Sequence, residues 1–410
     1  MKPDPFPSER PGGAGDGVAG VTDKSASHAL EMACIEDTDS FRALRDEWDA
    51  LHAVCRDATP FNSWEWLCSW WQVYGGSRSL RVLVWRLDGA LVGIAPLYVG
   101  RETGAFGLTV TVLRMVGDGS ADSDYLSFLM RDDLSARLLD QFAAWLAAER
   151  GCHALVLRDL PETSTLSTGL LAATGKYGLL PRKEHGRCAA IPLPDAFEEL
   201  LLSLRPRFRT KVRSLLKRLT ESQLTFESTV SAEDLKRRLR SLFELHQARW
   251  RSVGGVGVFE NKDKRRFYAL FATRFARKGW LRLYSLRRGD TYVAHQLCFS
   301  ANGTTYLLQE GFDVSNPASS YGQMLRASVM RHLIEQRQRR YDFLGGYSRH
   351  KEDWGATEAR TVHVTVAQKS VRGTFYLKLP KWRDQTVEIA KRVLPRAVVQ
   401  SLKQAAGRGG

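Results

Sequence analysis

The sequence predicts an α/β (α+β) chain of two similar modules in tandem, each a mixed, mostly antiparallel sheet flanked by helices. Three observations predict it. Strand-like and helix-like hydrophobic patterns alternate from residue 29 to residue 370. The element order of the first half returns in the second. In both halves short Gly-containing turns join successive strands, which makes neighbours antiparallel. The 410 residues are 43% hydrophobic and 26% charged, ample for a large core and incompatible with a wholly disordered chain. With 34 Gly and 14 Pro and no period, collagen-like architectures are excluded.

In the first half, 29–37 reads as a strand and 39–54 as a helix with Phe41, Leu44, Trp48 and Leu51 on one face. Asp39 and Ser40 are its cap candidates. Pro60 breaks the chain before a Trp-rich helix, 63–73. Strands 81–87 and 91–99 flank Asp88-Gly89, a strong hairpin signal. Strands 108–116 and 125–130, helix 134–150, strand 154–158, helix 166–174 and strand 187–193 follow. The segment 195–220 holds two helices. The second half reads as strand 224–227, helices 232–250 and 262–278, and strands 281–287, 292–300 and 304–309 with turns at 288–290 and 302–303. Helix 321–337 and strands 341–344 and 361–368 complete it. The repeat is one of element order, with a period far too long for a solenoid.

These elements divide the chain into a disordered leader (1–28), an N-terminal module (29–194), a basic helical linker (195–222), a C-terminal module (223–370) and a basic amphipathic tail (371–410). The leader is Pro/Gly/Asp-rich without an apolar core, so it is not a secretory signal. No run of about 18 apolar residues predicts a spanning helix. The expected location is the cytoplasm, with a peripheral position on the inner face of the membrane if the tail lies on anionic lipid. A tail packed on the C-terminal module is the alternative.

The six cysteines form no CxxC pair and lie at no metal-ligand spacing from histidine, so they read as buried small hydrophobes and no metal site is expected. The net charge of +15, from 60 basic and 45 acidic residues, attracts anions without choosing among nucleic acid, lipid headgroups, acidic glycans and phosphate-bearing cofactors. Seven basic residues and no acidic one lie between Arg205 and Arg218. That stretch is a solvated helix face or an anion-binding one, with Arg209 a candidate for substrate binding. No RRM, zinc-finger or KH signature accompanies it, so sequence-specific nucleic-acid recognition is not expected.

Three stretches carry a family resemblance: Arg205-Pro-Arg-Phe-Arg-Thr-Lys-Val-Arg213; Gly311-Phe-Asp-Val with Ser320-Tyr-Gly-Gln323; and Tyr341-Asp-Phe-Leu-Gly-Gly-Tyr347 with Lys351-Glu-Asp-Trp354. With the order β-α-α-β-β-β-α-β they resemble the GNAT superfamily, in particular its CelD/BcsL-type (BioF2-like) acetyltransferases. The last stretch also resembles the Fem-type peptidyltransferases, which hold two GNAT-like modules in one chain. The resemblance covers about residues 200–370; over 40–190 it rests on element order, Trp64-Glu-Trp-Leu67 and Gly93-Ile-Ala-Pro96.

The resemblance implies transfer of an acetyl or other acyl group from acyl-CoA to an amine or hydroxyl of a small molecule or glycan, without a covalent enzyme intermediate. It also implies a role in exopolysaccharide or cellulose biosynthesis, and the basic tail is the expected contact with a membrane surface or a polysaccharide synthase. It places the phosphates on Ser320, Tyr321, Gly322 and Gln323, where a helix start offers unpaired N–H groups and a positive dipole end; a plain Ser-capped helix is the alternative. Glu310 is the expected base, or a turn residue. Asp342 is a second carboxylate candidate, or a buried ion-pair partner. Tyr347 is the expected acid, or a packing residue, and Lys351 the cation that holds substrate or phosphate. His295 shares a strand face with Val293, Leu297 and Phe299, and reads as a core histidine or a substrate contact. Trp354 completes the substrate candidates. The rivals are a Fem-like aminoacyl-tRNA-dependent transferase and a non-catalytic ligand-binding scaffold.

Overall fold

The computed structural model describes residues 29–103, 109–228 and 231–378; the leader and most of the tail lie outside these residues. Its centre is one 13-stranded sheet. The first half contributes β1 (Leu30–Ile35), α1 (Thr38–Ala43), α2 (Arg45–Val54), α3 (Trp64–Tyr74), β2 (Ser79–Leu87), β3 (Ala90–Thr103), β4 (Thr109–Met115) and β5 (Leu129–Met130). Then come α4 (Ser135–Ala148), β6 (Ala154–Pro161), α5 (Thr165–Gly175) and β7 (Leu180–Pro192). Helices α6 (Phe197–Ser203) and α7 (Pro206–Glu221) lead to β8 (Leu224–Glu227), α8 (Ala232–Ser252), α9 (Lys262–Arg277), β9 (Leu281–Arg288), β10 (Thr291–Ala301) and β11 (Thr304–Phe312). The chain closes with α10 (Tyr321–Glu335), β12 (Arg340–Gly345), α11 (Arg349–Asp353) and β13 (Thr357–Ala367).

The repeated order becomes a pseudo-symmetric sheet. Its strand sequence is β1-β2-β3-β4-β6-β13-β7-β12-β11-β10-β9-β8. In each half a four-stranded antiparallel meander meets one parallel neighbour, β6 beside β4 and β12 beside β11. The halves then exchange strands. β13 from the end of the chain pairs with β6, β7 from the first half pairs with β12, and β7 and β13 pair antiparallel along their length.

Local chemistry explains most element boundaries. Asp88 and Gly89 both have positive φ, as a two-residue hairpin turn requires. Ser63 caps α3 by accepting from the Trp66 N–H, and Asn261 caps α9 through two N–H groups. Three readings are corrected. The helix over 39–54 is two helices, because Leu44, at ψ −4°, makes a tight turn whose N–H bonds to Arg42 O. The strand over 125–130 shrinks to Leu129–Met130, because Tyr125 takes a positive φ and leads a crossing loop. The short strand at 187–193 starts at Leu180, since its exposed first half finds partners on β13.

The halves share one core. Trp66 of α3 packs on Phe271 and Phe267 of α9, at ring-centroid distances of 4.7 and 5.0 Å. Helices α6 and α7 bury Leu201, Val212, Leu215 and Leu219 in a second cluster with Met324, Leu325 and other α10 residues. Arg205, at the start of α7, is ion-paired to Glu352 of α11. The basic segment is therefore packed against the C-terminal half along its apolar stripe.

Candidate functional site

The parallel β11–β12 pairing covers only Thr304–Tyr306 against Arg340–Asp342. Beyond it the strands part. β11 is bulged at Leu308, where Leu297 pairs with Gln309 and Cys298 with Leu307. β12 turns toward β7, Gly345 pairing with Cys188. A wedge between parting strands leaves ladder groups to be satisfied by other means, and this one is lined by polar side chains on both faces of the sheet.

On the α10 face, the buried Arg326 guanidinium is ion-paired to Glu310 and donates to His350 Nε2. It lies over the rings of Phe343 and Trp354, 5.3 and 5.8 Å from their centroids. Arg249 adds a second guanidinium 3.5 Å from Glu310. Burial alone would raise the Glu310 pKa, but the charges of Arg326 and Arg249 outweigh it and hold the carboxyl below its usual value. Its contribution to stability is present above the ordinary carboxylate range and is lost as pH falls through that lowered value.

On the opposite face, Asp342 is buried and accepts from Tyr125 Oη at 3.0 Å, the Leu344 N–H at 2.8 Å and Arg340 at 3.1 Å. Burial raises its pKa against the pull of Arg340. Tyr125 belongs to the loop after β4, which crosses from the first half. The same loop brings in Asp124, and a Cβ on Gly345 would stand 3.0 Å from Asp124 Oδ1. Burial, then the charges of Asp159 and Asp342, push Asp124 up to about 7, while Lys351 opposes them. Lys351 itself is half-buried. Its Nζ donates to Gly346 O at 2.7 Å and Gly345 O at 2.8 Å, with Phe343 O and Leu344 O at 3.2 and 3.4 Å. Leu344 and Gly346 have positive φ, so the end of β12 curls around the ammonium. The sequence expectation is that Lys351 meets substrate or phosphate; in this structure its ammonium is bonded to the backbone carbonyls of the β12 curl. Replacing Lys351 by Met is expected to remove these bonds from a partly solvated loop and to lower stability by about 0.5–1.5 kcal/mol, measured by urea denaturation.

At the mouth of the wedge, a 3-10 turn, Pro317–Ser319, precedes α10. Ser320 does not cap the helix as a conventional N-cap. It sits in the left-handed region, φ 54° and ψ 36°, and its side chain makes no cap bond. A right-handed turn followed by a left-handed residue turns successive N–H groups toward one point, the geometry of an anion nest. Arg218 Nη2 donates to Ala318 O at 3.1 Å and holds the turn. Tyr321 is buried, its hydroxyl bonded to Arg288. Gly322 packs closely on Phe312: a Cβ there would lie 2.6 Å from the ring. Gln323 Oε1 is buried without a partner among the described residues.

The remaining candidates are spread out. His295 has no exposed surface and shares a 2.7 Å hydrogen bond with Ser285; burial, with Arg238 nearby, pulls it down to about 3, so it is a neutral core histidine. Trp354 is buried against Phe208, 5.0 Å between ring centroids, and packs the loop after β12. Neither meets solvent, so the expected substrate contacts are corrected to packing roles. Arg209 is half-buried on α7 and makes no side-chain ion pair among the described residues. Tyr347 is half-buried beside the wedge, its hydroxyl without a hydrogen-bond partner among the described residues. No cluster of three or more potential metal ligands occurs among the described residues, and no helix among them is long and apolar enough to cross a membrane. Sequence reading missed Asp124, Tyr125, Arg249, Arg288 and Arg326. Only the Gly-rich run Gly117-Asp-Gly-Ser, ahead of Asp124, signalled that this loop is unusual.

The site's framework, parting parallel strands with a bulge and a helix starting at the mouth, coincides with a sequence match. Residues 206–352 match the acetyltransferase (GNAT) domain family. The matched region runs from α7 into α11 and contains β11, β12 and the start of α10, whereas Asp124 and Tyr125 come from outside it. No curated protein matches the chain by sequence. Among solved structures, FemX superposes with a TM-score of 0.55 at 15% identity, over 81% of this chain and 96% of that one. A conserved protein of unknown function from Bacteroides thetaiotaomicron VPI-5482 gives 0.50 at 14% identity, over 82% and 100%. These two likenesses show a shared fold across both halves. A tandem GNAT protein from the clavulanic acid biosynthesis pathway is more distant, with a TM-score of 0.40 at 14% identity over 83% of this chain and all (100%) of that one.

Proposed function

We propose that the chain is an acyl-CoA-dependent N- or O-acyltransferase acting by direct transfer at the β11–β12 wedge. One observation carries the reading: an uncapped helix start with a left-handed Ser320 opens onto a wedge whose far face presents Asp124. The residues fit a phosphate-bearing donor, since the N–H groups of 320–322 follow an αR–αL turn and Arg218 and Arg288 lie beside them. Acyl-CoA supplies the activated thioester carbonyl. Asp124 takes the proton as the acceptor's nitrogen or oxygen forms its bond to that carbonyl. Tyr347 donates a proton to the sulfur as the carbon–sulfur bond breaks. Lys351 and Asp342 are positioning residues that hold the β12 loop and Tyr125. Asp124 is preferred to Glu310 as base because Glu310 is already neutralised by two guanidiniums. The CelD/BcsL resemblance adds acetyl as the acyl group and a glycan of exopolysaccharide or cellulose metabolism as acceptor.

Calorimetric titration with acetyl-CoA tests the donor. A β-branched residue is strained at positive φ and glycine is not. Ser320→Gly is therefore expected to bind as the parent does, and Ser320→Val at least about tenfold more weakly. Equal binding by Ser320→Val puts the donor elsewhere, and no binding by the folded parent ends the acyl-CoA reading. A second reading, an aminoacyl-tRNA donor, is favoured by Arg207, Arg209 and Lys211, which stand on α7 without side-chain ion pairs among the described residues. Its sign is tRNA binding that weakens steeply with salt.

A further inference from the structure

Between α8 and α9 lies a groove of about 790 Å³. Its floor is apolar, with Leu235, Leu239, Phe243 and Phe259. Its rim is basic, with Lys236, Arg240, Arg251 and Arg265 against Glu244 and Glu260. The groove ends at the segment joining the two helices, and that segment is unusual. Trp250, Val253, Val256 and Val258 are 41, 73, 80 and 37% exposed. They make up half of the exposed large hydrophobics among the described residues, and they fall within nine residues of sequence.

The segment is an ordered knob. α8 ends in a Schellman motif, with the Gly255 N–H bonded to Trp250 O at 2.8 Å and the Gly254 N–H to Arg251 O at 3.0 Å. Gly254 has φ +72°, and a Cβ on Gly255 would lie 2.9 Å from the Trp250 ring. Two glycines thus fold the chain onto the indole and leave Val253 and Val256 projecting. The knob adjoins the wedge, because Arg249, one residue before Trp250, is ion-paired to Glu310 and lies over the Phe312 ring.

We propose that this face docks on an anionic lipid surface, with Trp250 and the three valines entering the headgroup–acyl boundary and the basic rim meeting lipid phosphates. Charge complementarity selects this occupant. A convex aliphatic knob with one indole and a cationic surround suits an interface that is apolar below and anionic above. Protein interfaces instead centre on buried aromatic and Arg anchors in pockets. Docking would turn the wedge toward acceptors held at the membrane. It does not depend on the identity of the acyl donor.

The test is cosedimentation of the full chain with vesicles of 70:30 phosphatidylcholine and phosphatidylglycerol, and of phosphatidylcholine alone (about 30% anionic lipid approximates a charged leaflet). The parent is expected to bind the anionic vesicles and to lose binding with salt. Val253→Asp with Val256→Asp is expected to reduce binding at least about tenfold, and Arg240→Gln with Arg251→Gln to reduce it in part. Both valines project into solvent, so the thermal unfolding midpoint should not move. Undiminished binding by the valine variant assigns lipid attachment to another segment and overturns the proposal. So does a parent that ignores vesicles, or one that sediments as a dimer which the valine variant converts to monomer. Acetyl-CoA titration of the same variants separates this outcome from failure of the donor reading.

Discussion

Replacing Lys264 by Met is expected to cost about 3–5 kcal/mol of folding stability, the range for orphaning one member of a buried ion pair. Lys264, on α9, reaches across to the loop after β4. Its Nζ lies 2.7 Å from Ser120 O and 2.8 Å from Asp122 Oδ1. The Asp122 side chain has 0% exposure, and it also accepts from the Tyr268 hydroxyl at 3.0 Å and is hydrogen-bonded by Ser120. Without the ammonium a carboxylate is left in the core, beneath the loop that carries Asp124. The pH dependence follows from sign. Burial already raises the Asp122 pKa, and Lys264 is the chief opposing charge. Its loss raises the folded value further, so the variant's deficit is largest at alkaline pH and shrinks as acidification protonates Asp122. Urea denaturation at pH 5 and pH 8 reads this directly. A double variant, Lys264→Met with Asp122→Asn, should recover part of the loss; an equal or larger loss would locate the effect in packing instead.

The largest effect on activity is expected at Asp124. Asp124→Asn should lower acyl transfer by about 10²–10⁴-fold, the usual contribution of a general base, with acetyl-CoA affinity unchanged. The parent rate should rise with pH and level off above about 7, where the Asp124 carboxyl is ionised. The variant should lack that step. Stability moves the opposite way. A carboxyl whose folded pKa is raised opposes folding increasingly as pH climbs toward the raised value, so Asp124→Asn should be at least as stable as the parent at pH 8. A variant that loses activity and stability together would make Asp124 a structural residue. A variant that keeps full activity would return the base role to Glu310 or Asp342.

Elements built from local information were legible. Asp88-Gly89 has to be a hairpin turn because few other dipeptides tolerate two positive φ values, and the turn forms as read. The helical periodicity of α8, α9 and α10 reports which face is buried, and each forms close to its expected bounds. The family resemblance gives Glu310, Tyr347 and the start of α10 their expected roles; in the structure Glu310 lies on β11 at the wedge, paired with Arg326 and Arg249. Ser320 reads as a phosphate contact, with a helix cap as the alternative; the cap does not form, because its φ depends on how the preceding turn is held by Arg218. Lys351 is assigned to substrate or phosphate because its position matches the lysine of the resembled family. The curl of Leu344–Gly346 that occupies it has no sequence signature beyond two glycines.

What the sequence by itself determined is the succession of strands and helices, the tandem repeat and the kind of side chain available to each half. Those follow from periodicity, turn residues and caps, which act over a few residues. The tertiary structure alone decided that β7 and β13 cross between the halves, and that the loop after β4 leaves its own half to deliver Asp122, Asp124 and Tyr125 to α9 and the β11–β12 wedge. Tyr125 and Asp342 are 217 residues apart in the chain yet share a hydrogen bond. Such a contact is set by which surfaces can be buried together, and no local pattern encodes it.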